Sequence, residues 1–279
     1  MSSRFIFAKA PLRVYWELTR ETVQELRAAG VEAMSLSLDG SNAERHDGLR
    51  GVPGTFARTV EAVRDVVESG IPLQINTLVT AETAGDLPEI HRLVATLGVQ
   101  RWSLFFLISV GRGRVLGQIT PAECEALLHW VSDRPGGGGP VVTTTEAPHY
   151  RRIMLERLKA GGRAGEETHR HALQRGFGMR DGNGIMFISH TGDVQPSGFL
   201  PITAGNVRTA SPVEIYREAP LFQRLRQPER FEGRCGRCEF REICGGSRAR
   251  AYAASGTPFG EDPLCPYEPG RQAGAESNE

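Results

Sequence analysis

Lysine is almost missing from this chain. Of 33 basic residues in 279, only Lys9 and Lys159 are lysines and the rest are arginines. We read that bias as coding preference before chemistry. Net charge is missing too: 33 basic residues face 33 acidic ones, with a pI near 7.1. A balanced chain has no bulk field to draw it to nucleic acid or to an anionic membrane, so neither partner is expected. Long apolar runs are also lacking, and none approaches the roughly 20 residues a membrane span needs. Arg4 and Lys9 flank only "FIFA", too short for the core of a secretory signal. The expectation is a cytoplasmic protein whose thiols stay reduced. What is present is enough length for one large domain or two smaller ones.

Patterning gives the first half of the chain an α/β character. Residues 31–38, "VEAMSLSL", read as a strand that ends in the turn "DGSN". "VPGTFARTVEAVRDVVESG" carries Phe56, Val60, Val63 and Val67 on one helical stripe, with Thr55 as candidate cap and Gly70 as stop. "IPLQINTLV" is the next strand. "DLPEIHRLVATLG" repeats the helical stripe through Leu87, Ile90, Val94 and Leu97. "QRWSLFFLISV" is nearly continuous in apolar residues, as a strand buried on both faces should be. Thr120 and Glu123 frame a capping box that opens a helix to about Ser132. Alternating strands and helices imply a parallel sheet. "RPGGGGP" at 134–140 reads as a linker, and "EAPHYRRIMLERLKAGG" as a helix. Residues 184–199 read as a hairpin around Thr191, Gly192 and Asp193, followed by a short helix. The resulting division is 1–133 as the α/β domain, 134–183 as linker and helix, 184–268 as a small α+β cysteine domain, and 269–279 as a disordered tail.

Four of the five cysteines fall in that last domain. Cys235, Cys238, Cys244 and Cys265 have the spacing C-x2-C-x5-C-x20-C. Two thiolates across a two-residue gap grip one centre, a third closes over it, and a distant fourth completes four-coordination. Spacing alone leaves an iron–sulfur cluster and zinc both open. Cys124 shares a helical face with Leu127, Leu128 and Val131 and reads as a buried structural thiol.

With these motifs in hand the chain resembles radical S-adenosylmethionine (SAM) proteins that carry a SPASM or twitch C-terminal domain. The branch it looks most like holds the haem-biosynthesis and haem d1-type maturases. The resemblance rests on "SLDGSNAERHDGLRGVPGTFARTVEAV", "FFLISVGRGR", "ISHTGDVQPSGFLPITAGNVR" and "CGRCEFREICGGSRARAYA". It implies a truncated (β/α) barrel ahead of the cysteine domain, an auxiliary [4Fe–4S] cluster on the four clustered cysteines, and a tetrapyrrole or peptide substrate. It implies contact with S-adenosylmethionine from Ser37, Asp39 and Asn76 at the C-terminal strand ends, with residues 109–113 near adenine. Ser37 and Asp39 read equally as turn formers, and Asn76 as a hydrogen-bonded strand end. Family members with two auxiliary clusters have a cysteine where "QPSGF" places Ser197.

One family feature is not in the chain. The strand "VYWELTR" matches the one that normally runs into C-x3-C-x2-C, the three-thiolate motif of the radical-generating cluster. Here "ETVQEL" follows directly, and C-x3-C-x2-C occurs nowhere. Two βα units look absent at this join, so no catalytic residue is assigned. The expectation is a sheet healed across the join, with strands ordered 12–18, 33–38, 72–79 and 102–108. Such a sheet is too narrow to close, and its exposed edge would invite self-association. Among the remaining polar residues, His46 and Asp47 read as an exposed turn pair and His129 as surface. His149, Tyr150, Arg151 and Arg152 read as a helix-face ion-pair group, with an anionic substrate as the alternative.

Overall fold

The computed structural model describes residues 18–133, 139–160 and 179–270. The proposed first strand, 12–18, lies outside the described residues apart from Leu18, so its pairing is not addressed. Helix α1 (Arg20–Ala28) begins cleanly at the unusual join. The Thr19 hydroxyl accepts a hydrogen bond from Thr22 N, and Arg20 pairs with Asp65 and Glu68 on a later helix. Leu18 packs against the main core.

Four parallel strands form the sheet, in the order β1 (Met34–Ser37), β2 (Leu73–Val79), β3 (Arg101–Phe106) and β4 (Val141–Thr145). Strand β4 falls in the segment whose sequence reads as linker and helix; it pairs in register with β3 from Arg101 opposite Val141 to Phe105 opposite Thr145. Helices α3 (Thr55–Ser69), α4 (Leu87–Thr96) and α5 (Pro121–Ser132) make the crossovers, and α6 (Tyr150–Ala160) follows β4. In-register rows set the two faces of the sheet. Leu36, Ile75, Trp102 and Val142 form one row. Ile75 and Trp102 in it are fully buried, in the core that also holds Val63, Val66, Ile90, Val94 and Leu128 from the helices. Each such aliphatic side chain contributes about 1.5–3 kcal/mol by leaving water. The next row, Ser37, Asn76, Ser103 and Thr143, must face the other way because side chains alternate along a strand. The sheet is therefore apolar toward its helices, and its other face carries this polar row beside the Leu78–Phe105 pair.

Two local readings need correction. Residues Ala43–Arg50 are helix α2, capped by the Asn42 side chain on Arg45 N and ended by left-handed Gly51. His46 is thus buried, and its Nδ1 accepts from Asp39 N at 3.0 Å. Asp47, not Thr55, caps α3: its carboxylate takes the N–H groups of Gly54 and Phe56 and the Thr55 hydroxyl. A short side chain reaching back across a turn satisfies the orphan donors of a helix start. The α5 capping box forms as expected, with Thr120 and Glu123 bonding reciprocally.

Beyond α6 the chain makes a short pair, β5 (Arg180–Asp181) with β6 (Gly184–Ile185). A three-stranded antiparallel sheet follows: β7 (Phe187–Ile188), β8 (Asp193–Gln195) and β9 (Gly205–Asn206). The hairpin centred on Gly192 is as expected. Ile108, just past β3, packs with Leu200, Leu225 and Ala249 of this second region, and Leu264 reaches into the main core. The cysteine segment is thereby fixed against the C-terminal edge of the sheet, the edge at which parallel α/β sheets bind ligands.

Candidate functional site

Cys235 lies in the short helix Gly233–Arg237 and Cys238 at its end, while Cys244 precedes the left-handed pair Gly245 and Gly246. Cys265 follows the turn from Asp262. All four border one small cavity of about 30 Å³, together with Phe240, Tyr267 and the arginines Arg152, Arg234 and Arg241. None is in a disulfide. Among the described residues no group of three or more His, Cys, Asp or Glu side chains is drawn tightly enough to hold a single metal ion.

Each sulfur meets at least one N–H donor. Asp262 N lies 3.4 Å and Arg248 Nη2 3.5 Å from Cys235 Sγ, and Phe240 N lies 3.4 Å from Cys238 Sγ. Backbone N–H groups of Gly246 and Tyr267 serve Cys244 and Cys265. Three donors therefore come from two residues past the cysteine, a turn geometry that aims the amide back at the sulfur. Such bonds stabilise thiolate and tune any centre it ligates. Glycine is required at 246: φ is +65°, and a Cβ there would sit 3.0 Å from Cys235 Sγ and 2.5 Å from Arg248 Nη2. Burial pushes the Cys244 thiol up to about 12 and raises Cys238 and Cys265 as well. In the free thiol state these groups keep their protons, and a metal centre has to displace them.

A carboxylate–guanidinium network ties this cavity to the sheet. Arg250 Nη1 bonds both oxygens of Asp262 at 3.0 Å, and both side chains are fully buried. Burial pushes the Asp262 carboxyl up, but Arg250, His149 and the Ser247 N–H outweigh it and hold it below the usual carboxylate range. Arg250 also donates to the Glu146 carbonyl, and Ser247 Oγ to the Glu146 carboxylate. Glu146 follows β4 directly and has φ of 61°, a strained value for a non-glycine residue. Burial, and then the charge of Asp181, raises its carboxyl to about 7.

Cys124 is fully buried on α5, as expected. The sequence did not reveal its partner, His149 Nε2 at 3.1 Å, also fully buried. Burial raises the Cys124 thiol and lowers His149 to about 4, so the pair is neutral. Arg152 makes the expected ion pairs, with Glu125 and Glu156, and its guanidinium also stacks over Tyr267 at the thiol cavity. His129 is half exposed beside Glu125.

The three residues proposed to touch S-adenosylmethionine do come together. Ser37, Asp39 and Asn76 line an open pocket of about 340 Å³ at the C-terminal ends of β1 and β2, with Arg50, Thr77, Phe105 and Leu116. From the segment after β3 it is Leu116 that lines this pocket. Asp39 is already engaged: Oδ1 accepts from Leu78 N at 2.7 Å, and Oδ2 pairs with Arg50. Asn76 Oδ1 accepts from Gln74 Nε2 at 2.7 Å. Sequence reasoning missed Arg50 because α2 itself was missed.

No protein-family profile matches the chain. Named relatives do. The AdoMet-dependent heme synthase of Methanosarcina barkeri is 40% identical over 256 residues, which cover 91% of this chain and 73% of the relative. That of Nitratidesulfovibrio vulgaris is 40% identical over 258 residues, covering 91% and 70%. The pre-heme d1 synthase of Dinoroseobacter shibae is 28% identical over 249 residues, covering 85% and 61%. Among solved structures, Streptococcus suis SuiB superposes with a TM-score of 0.65 at 18% identity, over 89% of this chain and 58% of SuiB. The protein anSMEcpe with bound AdoMet and Cp18Cys peptide superposes with a TM-score of 0.59 at 16% identity, over 88% and 68%. At those identities the two structures speak to fold alone. Among the described residues no helix is long and apolar enough to cross a membrane.

Proposed function

The chain belongs to the radical S-adenosylmethionine family, in its haem-biosynthesis-like branch, and we propose that its working centre is an auxiliary [4Fe–4S] cluster held by Cys235, Cys238, Cys244 and Cys265 in a SPASM/twitch-like domain. The observation that carries this reading is the cavity those four thiols share, furnished with an N–H donor at every sulfur. The preference for a cluster over the zinc that spacing left open rests on the family to which the chain belongs. When bound, such a cluster supplies one-electron redox chemistry. The chain's own contribution is to fix the four thiolates, to donate hydrogen bonds to them, and to seal one side with Phe240 and Tyr267.

This chain is proposed to make no deoxyadenosyl radical. Radical formation needs an iron left open by a three-thiolate site, whereas the clustered cysteines supply four ligands. The fifth, Cys124, is alone, buried and paired with His149. S-adenosylmethionine binding, if retained, falls to the Ser37–Asn76 pocket, where Asp39 serves the fold instead. The substrate class is a tetrapyrrole, the choice supported by relatives named as haem and pre-heme d1 synthases, with a peptide as the alternative. Reduced thiols fit a cytoplasmic location.

Anaerobic reconstitution tests both parts. Four irons and four sulfides per chain, with absorbance near 400 nm, are expected, and a colourless zinc-loaded protein overturns the cluster. Incubation with dithionite and S-adenosylmethionine is expected to yield no 5′-deoxyadenosine above a cluster-free control; its production makes this chain a working radical enzyme.

A further inference from the structure

Two arginines two residues apart, in one helix, are among the most completely buried side chains in the molecule. Arg248 is 0% exposed and Arg250 1%. Their surroundings differ in kind. Arg250 is neutralised by Asp262, which accepts from it through both oxygens. Arg248 forms no ion pair with a carboxylate among the described residues. Its Nε donates to Gly246 O, its Nη1 to Pro258 O and Gly260 O, and its face lies 4.5 Å over the Phe231 ring. The one remaining donor, Nη2, points at Cys235 Sγ.

A fully buried cation facing carbonyls and a ring is costly, because dipoles replace only part of the lost hydration. The arrangement makes sense if the missing anion is the centre that the thiols hold. Four thiolates around a [4Fe–4S]²⁺ core carry a net charge of −2, and one-electron reduction takes it to −3. On the reading that the four cysteines bind such a cluster, we infer that Arg248 is the positioning residue that sets its potential: the guanidinium orients the Cys235 thiolate and holds a permanent positive charge against the sulfur, favouring the reduced state. The close fit supports a built arrangement. The left-handed Gly246 leaves room for guanidinium and sulfur together, and any side chain there would collide with both. The other cations nearby act elsewhere: Arg234 is paired with Glu261 and Glu268, Arg152 with Glu125 and Glu156, and Arg241 with Glu242, while Arg151 and the buried Arg180 interact with Cys244 and not with Cys235.

The experiment is a dye-mediated redox titration, followed by electron paramagnetic resonance, of the reconstituted full chain and of R248Q and R248K. Both variants lose the planar fork, and only R248K keeps the charge. R248Q is expected to favour the oxidised state at least tenfold more than the parent at any fixed potential. That is a midpoint about 59 mV more negative for a one-electron couple. R248K should stay within a few-fold of the parent. Equal shifts in both variants, or none in either, overturn the inference. So does loss of iron from both while the parent holds four, because Arg248 is then a clamp on the loop and nothing more. If the parent itself binds no iron–sulfur cluster, the auxiliary-cluster reading falls first, and iron and sulfide analysis of the parent reports that separately.

Discussion

The two pockets of this molecule lie at the same edge of the sheet and are built on opposite principles. Around Ser37 and Asn76 the polar groups largely satisfy one another. Asp39 is spent on Leu78 N and Arg50, and Asn76 on Gln74. Around the four cysteines the groups point inward and remain incomplete: donors face sulfur atoms, and a buried guanidinium has no carboxylate. A pocket whose groups satisfy each other folds without its ligand. A pocket of inward-facing donors needs its ligand to finish folding. The contrast also separates the two halves of the sequence: in the sheet pocket the polar groups close on one another, and the cysteine region gathers four thiols around one cavity.

The sharpest break of that comparison is removal of a ligand. On the proposed-cluster reading, C244S should leave the thiol cavity unable to hold a cluster and cost stability on the order of 10 kcal/mol, by analogy with structural zinc. Hydrogen exchange locates the loss: amides of 233–268 should lose protection while those of β2 and β3 keep theirs. Uniform loss across both regions would mean that the sheet also depends on the cluster. Next in size is D262N, which leaves the Arg250 charge buried without its partner. Breaking such a pair costs about 3–5 kcal/mol, read as a lower denaturant midpoint at an unchanged slope. An effect under 1 kcal/mol would show that Glu146 and the surrounding carbonyls already compensate Arg250.

Titration gives a subtler test, because two groups at the junction oppose each other. His149 is held neutral down to about pH 4, whereas an unfolded imidazole takes its proton near 6.5. Its folded value is depressed, so stability falls as pH drops from 6.5 toward 4, by roughly 3 kcal/mol in all. Glu146 is shifted the other way, from 4.5 to about 7. The folded state holds its proton more tightly, so stability falls as pH rises through that same window. The parent should therefore show a nearly flat stability profile between pH 4.5 and 7. E146Q should unmask the acid loss due to His149, and H149Q should invert the slope. Chemical denaturation at three or four pH values decides it, and parallel profiles for parent and both variants would rule the opposition out.

Much of this was legible in the sequence wherever a local signal carried it. Helix α4 showed its stripe, Thr120 and Glu123 their capping box, Gly192 its hairpin and the cysteines their spacing. Three features were hidden because their causes are not local. Helix α2, "AERHDGLR", has no apolar stripe; its signals were Asn42 at one end and Gly51 at the other, and we read past both. Strand β4, "VVTTT", is five residues after a glycine run, and only its pairing with β3 makes it a strand. The Cys124–His149 contact joins α5 to the turn ahead of α6 across 25 positions, and no spacing rule predicts such a pair. Of the proposed S-adenosylmethionine residues, location was legible and engagement was not. That Asp39 is consumed by Leu78 N and Arg50 depends on α2, the element that was missed.

The smallest effects should come from the open pocket, and they separate outline from function. Ser37 is exposed at a strand end, and Asn76 is half buried with one internal bond. S37A should therefore change stability by no more than about 0.5 kcal/mol, the usual range for a surface position. N76A should cost about 1 kcal/mol through the lost bond to Gln74. D39N belongs to the other class. It weakens the ties to Leu78 N and Arg50, so it should destabilise the fold more than either alanine variant, whatever it does to ligand. Isothermal titration of S-adenosylmethionine into the parent and the three variants completes the test. If the pocket still binds, S37A and N76A should each weaken binding several-fold at nearly constant stability, the loss of about one hydrogen bond, while D39N weakens both together. Identical weak heats for all four proteins would mean that the pocket has kept the shape of its family and none of its affinity. The functional difference between the two regions would then be complete.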